Sequence, residues 1–588
     1  MTSAILIDVG NPRKLYPGQH TSAFSRTCVW PVPYNRLTTR TIPLPICPLD
    51  KNKYDLPALE WNGSQMQWNR FHLALAIVYL AGLMAAGILT GRKRLDANQF
   101  LNATGSLPLW VCIVSSIAAN CGSLDVVAMM ALGAQYGMLA CHFYWIGAIP
   151  ALLVLVFWLL PSYTQGRYPS VLDFIERYYG PRLRSAVAFS MASMMLLLAG
   201  VCLCAVAQVG VVFLGWSFLR GVSVAVPVVL FYTWAGGFRA TVYTELLHFG
   251  LVLAAVVPLF FLAVHDFGGM VQLQASIPAD RAHLWQRLPL FAPQAAMDRV
   301  GLIFGLGVVL SFGYWSMDFV LMQRALAVRR PEDVRYVPLA MAGAKLIFAL
   351  LIVFPGVVAP LVLHGYEAKG WNSTLPSLML HYYKPSWAVI GIMGLAACLI
   401  STFANNVAGF SSAWVQGIYR QWIRPRASEA HYVDMARIAS ASAILLSVGA
   451  AYAARDFRSL MDYIQMIFST FNAPLFALVA LAGFVPRRVA RGGLGGFFLG
   501  LASTILHQIL ARTGVLHYGS QMNANFYAAI TGFTVAGVST LLLHKFSAEP
   551  ALTVAGPPPR TPIRFSAATT LVAIAIGGAC LVLNAIYW

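Results

Sequence analysis

Residues 108–134 read PLWVCIVSSIAANCGSLDVVAMMALGA, an apolar stretch of membrane-crossing length with a middle made of small and polar residues. About 20 apolar residues in a helix cross a hydrocarbon core of roughly 30 Å. Ser115, Ser116, Asn120, Gly122, Ser123 and Asp125 therefore fall near bilayer mid-depth. Close helix packing accounts for Gly, Ala and Ser at such a position, but it needs neither Asn120 nor Asp125. A helix broken at mid-depth accounts for all of them, because its freed carbonyls and polar side chains face an ion or a solute. Asp125 is also too short to reach the interface, as a long basic side chain does.

The rest of the 588-residue chain repeats the apolar theme: 59% of it is hydrophobic and 10% charged, against roughly 25% charged in soluble domains. Apolar blocks about 20 residues long, rich in Gly and free of strand alternation, predict helices rather than a barrel. A leading span is expected near 71–91. Spans one to thirteen follow near 108–134, 136–161, 185–213, 218–235, 239–264, 300–322, 337–364, 385–418, 434–454, 459–485, 492–511, 524–544 and 565–587. The fold class is thus an all-α polytopic membrane protein of about 14 transmembrane helices.

The net charge of +19 sits mostly in short loops. Arg92, Lys93, Arg94, Arg167, Arg177, Arg182, Arg184, Arg239, Arg324, Arg329, Arg330 and Arg335 fall on one side, as do Arg420, Arg424, Arg426, Arg437, Arg487, Arg488 and Arg491. The opposite loops carry far fewer, so the first side is expected to be cytoplasmic and both ends of the bundle outside, in a cell inner membrane. Nucleic-acid binding is not expected, and no obligate protein partner is evident. The nine cysteines show no paired spacing in an outer loop and predict neither disulfides nor a zinc site. Residues 1–65, basic and rich in Pro and Thr, read as a disordered N-terminal extension, with translation expected to start at Met66. Residues 66–107 then form the leading helix and a cytoplasmic loop, 108–487 the core, and 488–588 peripheral helices.

Ionisable groups within apolar spans are costly and mark function. Four stand out: Asp125 in span one, Glu245 in span five, Asp318 in span six and Lys345 in span seven. Lys345 lies about two turns inside its span, where a snorkelling stem is the bland alternative. On span eight, Cys398, Ser401 and Thr402 share one helical face. Hydroxyls and carbonyls there suit a weakly held monovalent cation, although Ser and Thr also bond their own helix carbonyls.

Four further segments resemble the sodium:solute symporter family, in its sodium–glucose/galactose branch. They are Tyr232-Thr233-Trp234-Ala235-Gly236-Gly237-Phe238-Arg239-Ala240 through Thr244-Glu245; Tyr314-Trp315 with Gln323-Arg324-Ala325-Leu326-Ala327; Ala344-Lys345-Leu346-Ile347 to Phe354-Pro355-Gly356; and Ser401-Thr402 through Ile418-Tyr419-Arg420. The resemblance, with Ala118-Ala119-Asn120, runs from about residue 70 to 500. It implies a LeuT-like core of two inverted five-helix repeats with spans one and six interrupted. It implies alternating access, with Na+ as coupling ion. The sodium site implied consists of carbonyls of Ala118, Cys121 and Cys398 and hydroxyls of Ser401 and Thr402. Tyr314 corresponds to an aromatic inner gate, and Asp125, Lys345 and Gln465 to sugar-contacting positions; Ser311, Trp315 and Asp318 on span six are counted with them.

The chain also departs from the pattern. Tyr144 stands for an acidic sugar contact on span two, Glu245 for the usual Asp, His248 for its usual Gln companion and Gly417 for an Asp after span eight. Ala404 and Asn405 occupy positions that would complete a second sodium site, so one sodium is expected. Glu245 is expected to pair with a cation, to form a proton-sensitive switch with His248, or to relay an ion. The reading is a non-enzymatic, sodium-driven symporter of a small polar solute, a sugar or polyol favoured. A proton-coupled symporter and a transporter-like sensor are the alternatives.

Overall fold

The structure, a computed structural model, describes residues 107–120, 123–160, 170–285, 288–363, 370–457, 459–484, 492–546 and 566–588, with 74, 77–79, 81 and 82 of the leading span. The proposed extension 1–65, most of the leading span and Cys121 lie outside the described residues, as does the side chain of Cys398.

Among the described residues, nine helices are long and apolar enough to cross a membrane, and a bent pair makes a tenth crossing. Three shorter apolar helices, Phe143–Leu159, Phe218–Leu230 and Gly301–Ser316, complete the set. Every one of spans one to thirteen therefore has a helical counterpart.

Span one is the bent pair. Leu109–Asn120 and Asp125–Cys141 meet at 45° across the polar run that the sequence marks. Span six is interrupted as well. A π-helical segment Gly301–Leu310 passes into Ser311–Met317; the backbone leaves the helix at Asp318 with ψ 107°, and Phe319–Leu326 resumes. The two breaks face each other, with Asn120 Nδ2 donating to Asp318 Oδ2 at 3.4 Å. The start of span one and the end of span six are tied by backbone bonds, Leu107 N to Ala327 O at 2.9 Å and Arg329 N to Leu107 O at 3.0 Å.

Close approach sets the second half of span one against span seven. A Cβ at Gly133 would overlap the Val353 carbonyl oxygen, and one at Gly356 would overlap that of Met130. Only glycine permits this backbone contact, and it carries Asp125 to the side of Lys345. Span seven is itself irregular: π-helical turns over Ala349–Val353 follow Lys345. Such turns are rare in helices and gather at functional sites.

Spans four and five are the separate apolar helices Phe218–Leu230 and Thr244–Asp266. Phe218 packs on Tyr452 and Arg455 at one end of span nine, and Asp266 accepts from Tyr382 just before span eight, so the two helices run in opposite directions. Spans three, eight and nine pack with this pair, and the first half of span one lies on it. Span eleven pairs with span twelve, which backs spans ten and six; span thirteen, capped by Ser566, touches spans two and seven.

Candidate substrate cavity and ion site

The two breaks open onto a cavity of about 140 Å3 lined from spans one, two, three, six, seven, eight and ten. One water needs roughly 10–15 Å3 measured this way, so the space holds about ten waters, the scale of a solute with about a dozen heavy atoms.

Its most charged feature is an ion pair between Lys345 Nζ and Asp125 Oδ2. Lys345 is 2% exposed and does not snorkel. Its ammonium lies over the Tyr144 ring at 4.8 Å and the Trp315 ring at 5.6 Å, each such contact contributing about 0.5–2 kcal/mol. Tyr144 thus brings an aromatic face where the resemblance implied an acid, while the carboxylate beside Lys345 comes from span one.

The other walls carry the remaining candidates. Tyr314 packs on Phe468 at 4.8 Å and edge-on to Trp315 at 5.0 Å, with its hydroxyl directed at Asp318. Ser311 lies against Gly147 of span two, where a Cβ would come within 2.6 Å of its Oγ. Gln465 contributes a buried side chain whose Oε1 has no hydrogen-bond partner among the described residues. Asp125, Tyr144, Ser311, Tyr314, Trp315, Lys345, Gln465 and Thr402 all line this one space. Asp318 is buried behind it at the break.

Beside the cavity, Ser401 is 3% exposed and its Oγ has no hydrogen-bond partner among the described residues. A buried hydroxyl left so is costly, and a bound cation would satisfy it. Thr402 reaches the cavity one residue on, and Ala118 lies in the helix just before the break in span one.

Glu245 and His248 have different partners. Glu245 is fully buried and bonded to Arg324 Nη2, with Arg324 Nε at 3.2 Å from its second oxygen. Ser115 donates to the same carboxylate, and Asn405 bridges, accepting from Arg324 at 2.9 Å and donating to Glu245 at 2.7 Å. His248 Nε2 is instead 2.8 Å from the Tyr79 hydroxyl of the leading span. Arg324, grouped with the loop cations by its place in the sequence, is 1% exposed and belongs to this network. Asn405 lies one helical turn beyond Ser401, so the network sits directly below the candidate ion site. Asn406 is a further residue that sequence reasoning missed: it lines the cavity and donates to the Thr402 carbonyl at 3.0 Å.

The chain is similar to known proteins in sequence and in fold. Residues 100–500 match the sodium:solute symporter family. Sodium/myo-inositol cotransporter 2 of Oryctolagus cuniculus is 24% identical over 74% of this chain and 70% of its own length. Sodium/glucose cotransporter 1 of Ovis aries is likewise 24% identical over 74% of this chain and 70% of its own. A sodium/glucose cotransporter of Vibrio parahaemolyticus is 23% identical over 72% and 82%. Among solved structures, the substrate-bound outward-open state of a Na+-coupled sialic acid symporter superposes with a TM-score of 0.68 at 17% identity, covering 82% of this chain and all of that one. That likeness establishes the fold, an inverted-repeat helical bundle of the LeuT type. This chain is a multi-pass membrane protein of the sodium:solute symporter family.

Proposed function

We propose that the chain carries a small, neutral, hydroxyl-rich solute, a sugar or polyol, inward with one sodium ion by alternating access. The observation that carries this is the Lys345–Asp125 pair on the cavity wall. Its two charges cancel, so the space favours a solute without net charge. A hydroxyl both donates and accepts, and can therefore donate to Asp125 while accepting from Lys345. Gln465 Oε1 offers a further acceptor, and Tyr314 and Trp315 form an aromatic floor. The cotransporter relatives named for glucose and myo-inositol support the same solute class.

Sodium would bind between spans one and eight, at carbonyls of Ala118, Cys121 and Cys398 and hydroxyls of Ser401 and Thr402. Binding there ties the broken span one to span eight and orders Asn120 and Asp125 beside the solute; linkage then requires solute to raise sodium affinity equally. One ion is proposed because Glu245 and Asn405 are committed to the Arg324 guanidinium, a fixed cation one turn below. The same network, joining spans one, five, six and eight, would hold the inner side closed until Tyr314 turns aside. A sodium gradient supplies the work: roughly 2.3 kcal/mol per charge per 100 mV. The working unit is residues 108–487 with spans eleven to thirteen peripheral, set in a cell inner membrane with both bundle ends outside.

A thermal-shift screen of the purified chain tests the solute class: sugars, polyols, amino acids and organic anions, each in sodium and in choline. Stabilisation by a sugar or polyol only in sodium is expected. Stabilisation by an organic anion alone would overturn the neutral-solute reading.

A further inference from the structure

Far from the solute cavity, the turn that ends span eight carries two cations without counter-charges. The π-helical segment Val415–Ile423 closes the span. Pro425 stops it, because the residue before a proline is held out of the helical region, and Arg424 leaves the helix with φ −141° and ψ 78°. Arg424-Pro425-Arg426 then leads into span nine at Glu429. Tyr432, itself buried, pins this turn: its hydroxyl donates to the Arg424 carbonyl at 2.5 Å and accepts from the Ala427 N–H at 3.2 Å. The Arg424 N–H is held as well, by the Tyr419 carbonyl at 3.0 Å.

Arg424 and Arg426 are exposed, and neither enters an ion pair among the described residues. From Arg420 to Arg437 four arginines stand against two carboxylates. Both carboxylates are taken, Glu429 by Arg420 and Asp434 by Arg437, each at 3.2 Å. Exposed guanidiniums are commonly only hydrated, so the charge by itself assigns nothing. Its neighbours narrow the choice. Trp422 and Ile423, just before the turn, are 56% and 53% exposed. The Trp422 indole N–H donates to Ser185 Oγ at 2.6 Å. Ser185 lies one helical turn before Phe189, an exposed ring on the apolar membrane-crossing length of span three. The indole is thereby held at the edge of the lipid-facing surface, the depth at which tryptophan and basic side chains meet headgroups.

We propose that Trp422, Ile423, Arg424 and Arg426 form a docking site for a phospholipid whose headgroup carries net negative charge. Trp422 and Ile423 enter the boundary between acyl chains and headgroups, and the pinned turn offers Arg424 and Arg426 to the phosphate. Guanidinium forks match phosphate oxygens in geometry as well as in charge. A zwitterionic headgroup brings its own cation to the phosphate and gains less from the two arginines. Spans three, eight and nine meet at this point, so the bound lipid stabilises their junction. The site depends on neither the solute nor the coupling ion.

Thermal stability of the purified full chain in detergent micelles, titrated with phosphatidylglycerol or with phosphatidylcholine, tests this. Phosphatidylglycerol should reach half-saturation at the lower concentration, and high salt should shrink that preference. Arg424→Gln with Arg426→Gln should reduce the preference by about thirtyfold, the effect of two arginines lost beside an anionic surface. Trp422→Ala should weaken both lipids alike and leave their ratio unchanged. The matched exchange Arg329→Gln with Arg330→Gln, in another loop, should also leave the ratio unchanged. A wild-type preference in the Arg424→Gln, Arg426→Gln variant would overturn the proposal, as would the absence of any preference in the unaltered chain. Equal loss in the Arg329→Gln, Arg330→Gln variant would overturn it too, by showing net charge alone at work. So would stabilisation by inorganic phosphate equal to that by phosphatidylglycerol, which would mark a site for a free anion.

Discussion

Breaking the Glu245–Arg324 pair should destabilise the inner side of the bundle more than any surface ion pair. Both side chains are at or below 1% exposure, so each single substitution leaves a charge or its partner groups buried without compensation. For Glu245→Gln the Arg324 guanidinium keeps Asn405 and Ser115 but loses the carboxylate that faces it. Removing one member of a buried pair typically costs about 3–5 kcal/mol. Arg324→Met should cost a similar amount, since Glu245 then keeps the neutral donors Ser115 and Asn405 without the guanidinium. The double variant removes both charges, and the amide introduced by Glu245→Gln can still bond Ser115 and Asn405, so the loss should fall well short of the sum. The expected coupling energy is about 2–3 kcal/mol, the range for residues in one network. Unfolding of the purified protein in mixed micelles, followed by a reporter near Arg324, measures it. An additive double variant, with coupling below about 0.5 kcal/mol as for an exposed pair, would refute the network. The same variants should also raise the sodium-driven leak measured without solute, because the tie between spans five, six and eight is cut.

Asp125→Asn should abolish solute-dependent stabilisation while Lys345→Met does the same, and the double variant should regain stability without regaining solute binding; binding by either single variant would move the solute elsewhere. Tyr144→Phe keeps the ring under Lys345 and should be near neutral, whereas Tyr144→Leu should weaken solute binding by about 0.5–2 kcal/mol through loss of the cation–π contact, read as a shift in the half-saturating concentration. Gly356→Val should prevent accumulation of folded protein, since its side chain would meet the Met130 carbonyl; normal yield and monodispersity would contradict the close crossing of spans one and seven.

The break in span one is legible in the sequence because polar residues at bilayer depth are too costly to be kept without a site to serve. Ser115 through Asp125 mark it, and the structure places it there. Lys345 is ambiguous in sequence, since its stem is long enough to snorkel; only the approach of span one, set by Gly133 and Gly356, shows that it turns inward to Asp125. Arg324 is hidden for a related reason. It stands six residues past the break at Asp318, close enough to the expected span end to pass for a loop cation, and nothing local reveals that Glu245, 79 residues earlier, faces it. His248 beside Glu245 suggests a pair, but residues three apart on a helix can still serve different neighbours, here Tyr79 and Arg324.

The most direct test of the central claim is uptake of a radiolabelled sugar or polyol, chosen by the thermal-shift screen, into proteoliposomes with and without an inward sodium gradient. Accumulation above the external concentration is predicted only with the gradient, and Ser401→Ala should abolish that dependence. Equal uptake with and without sodium, or an unchanged sodium dependence in Ser401→Ala, would contradict the account.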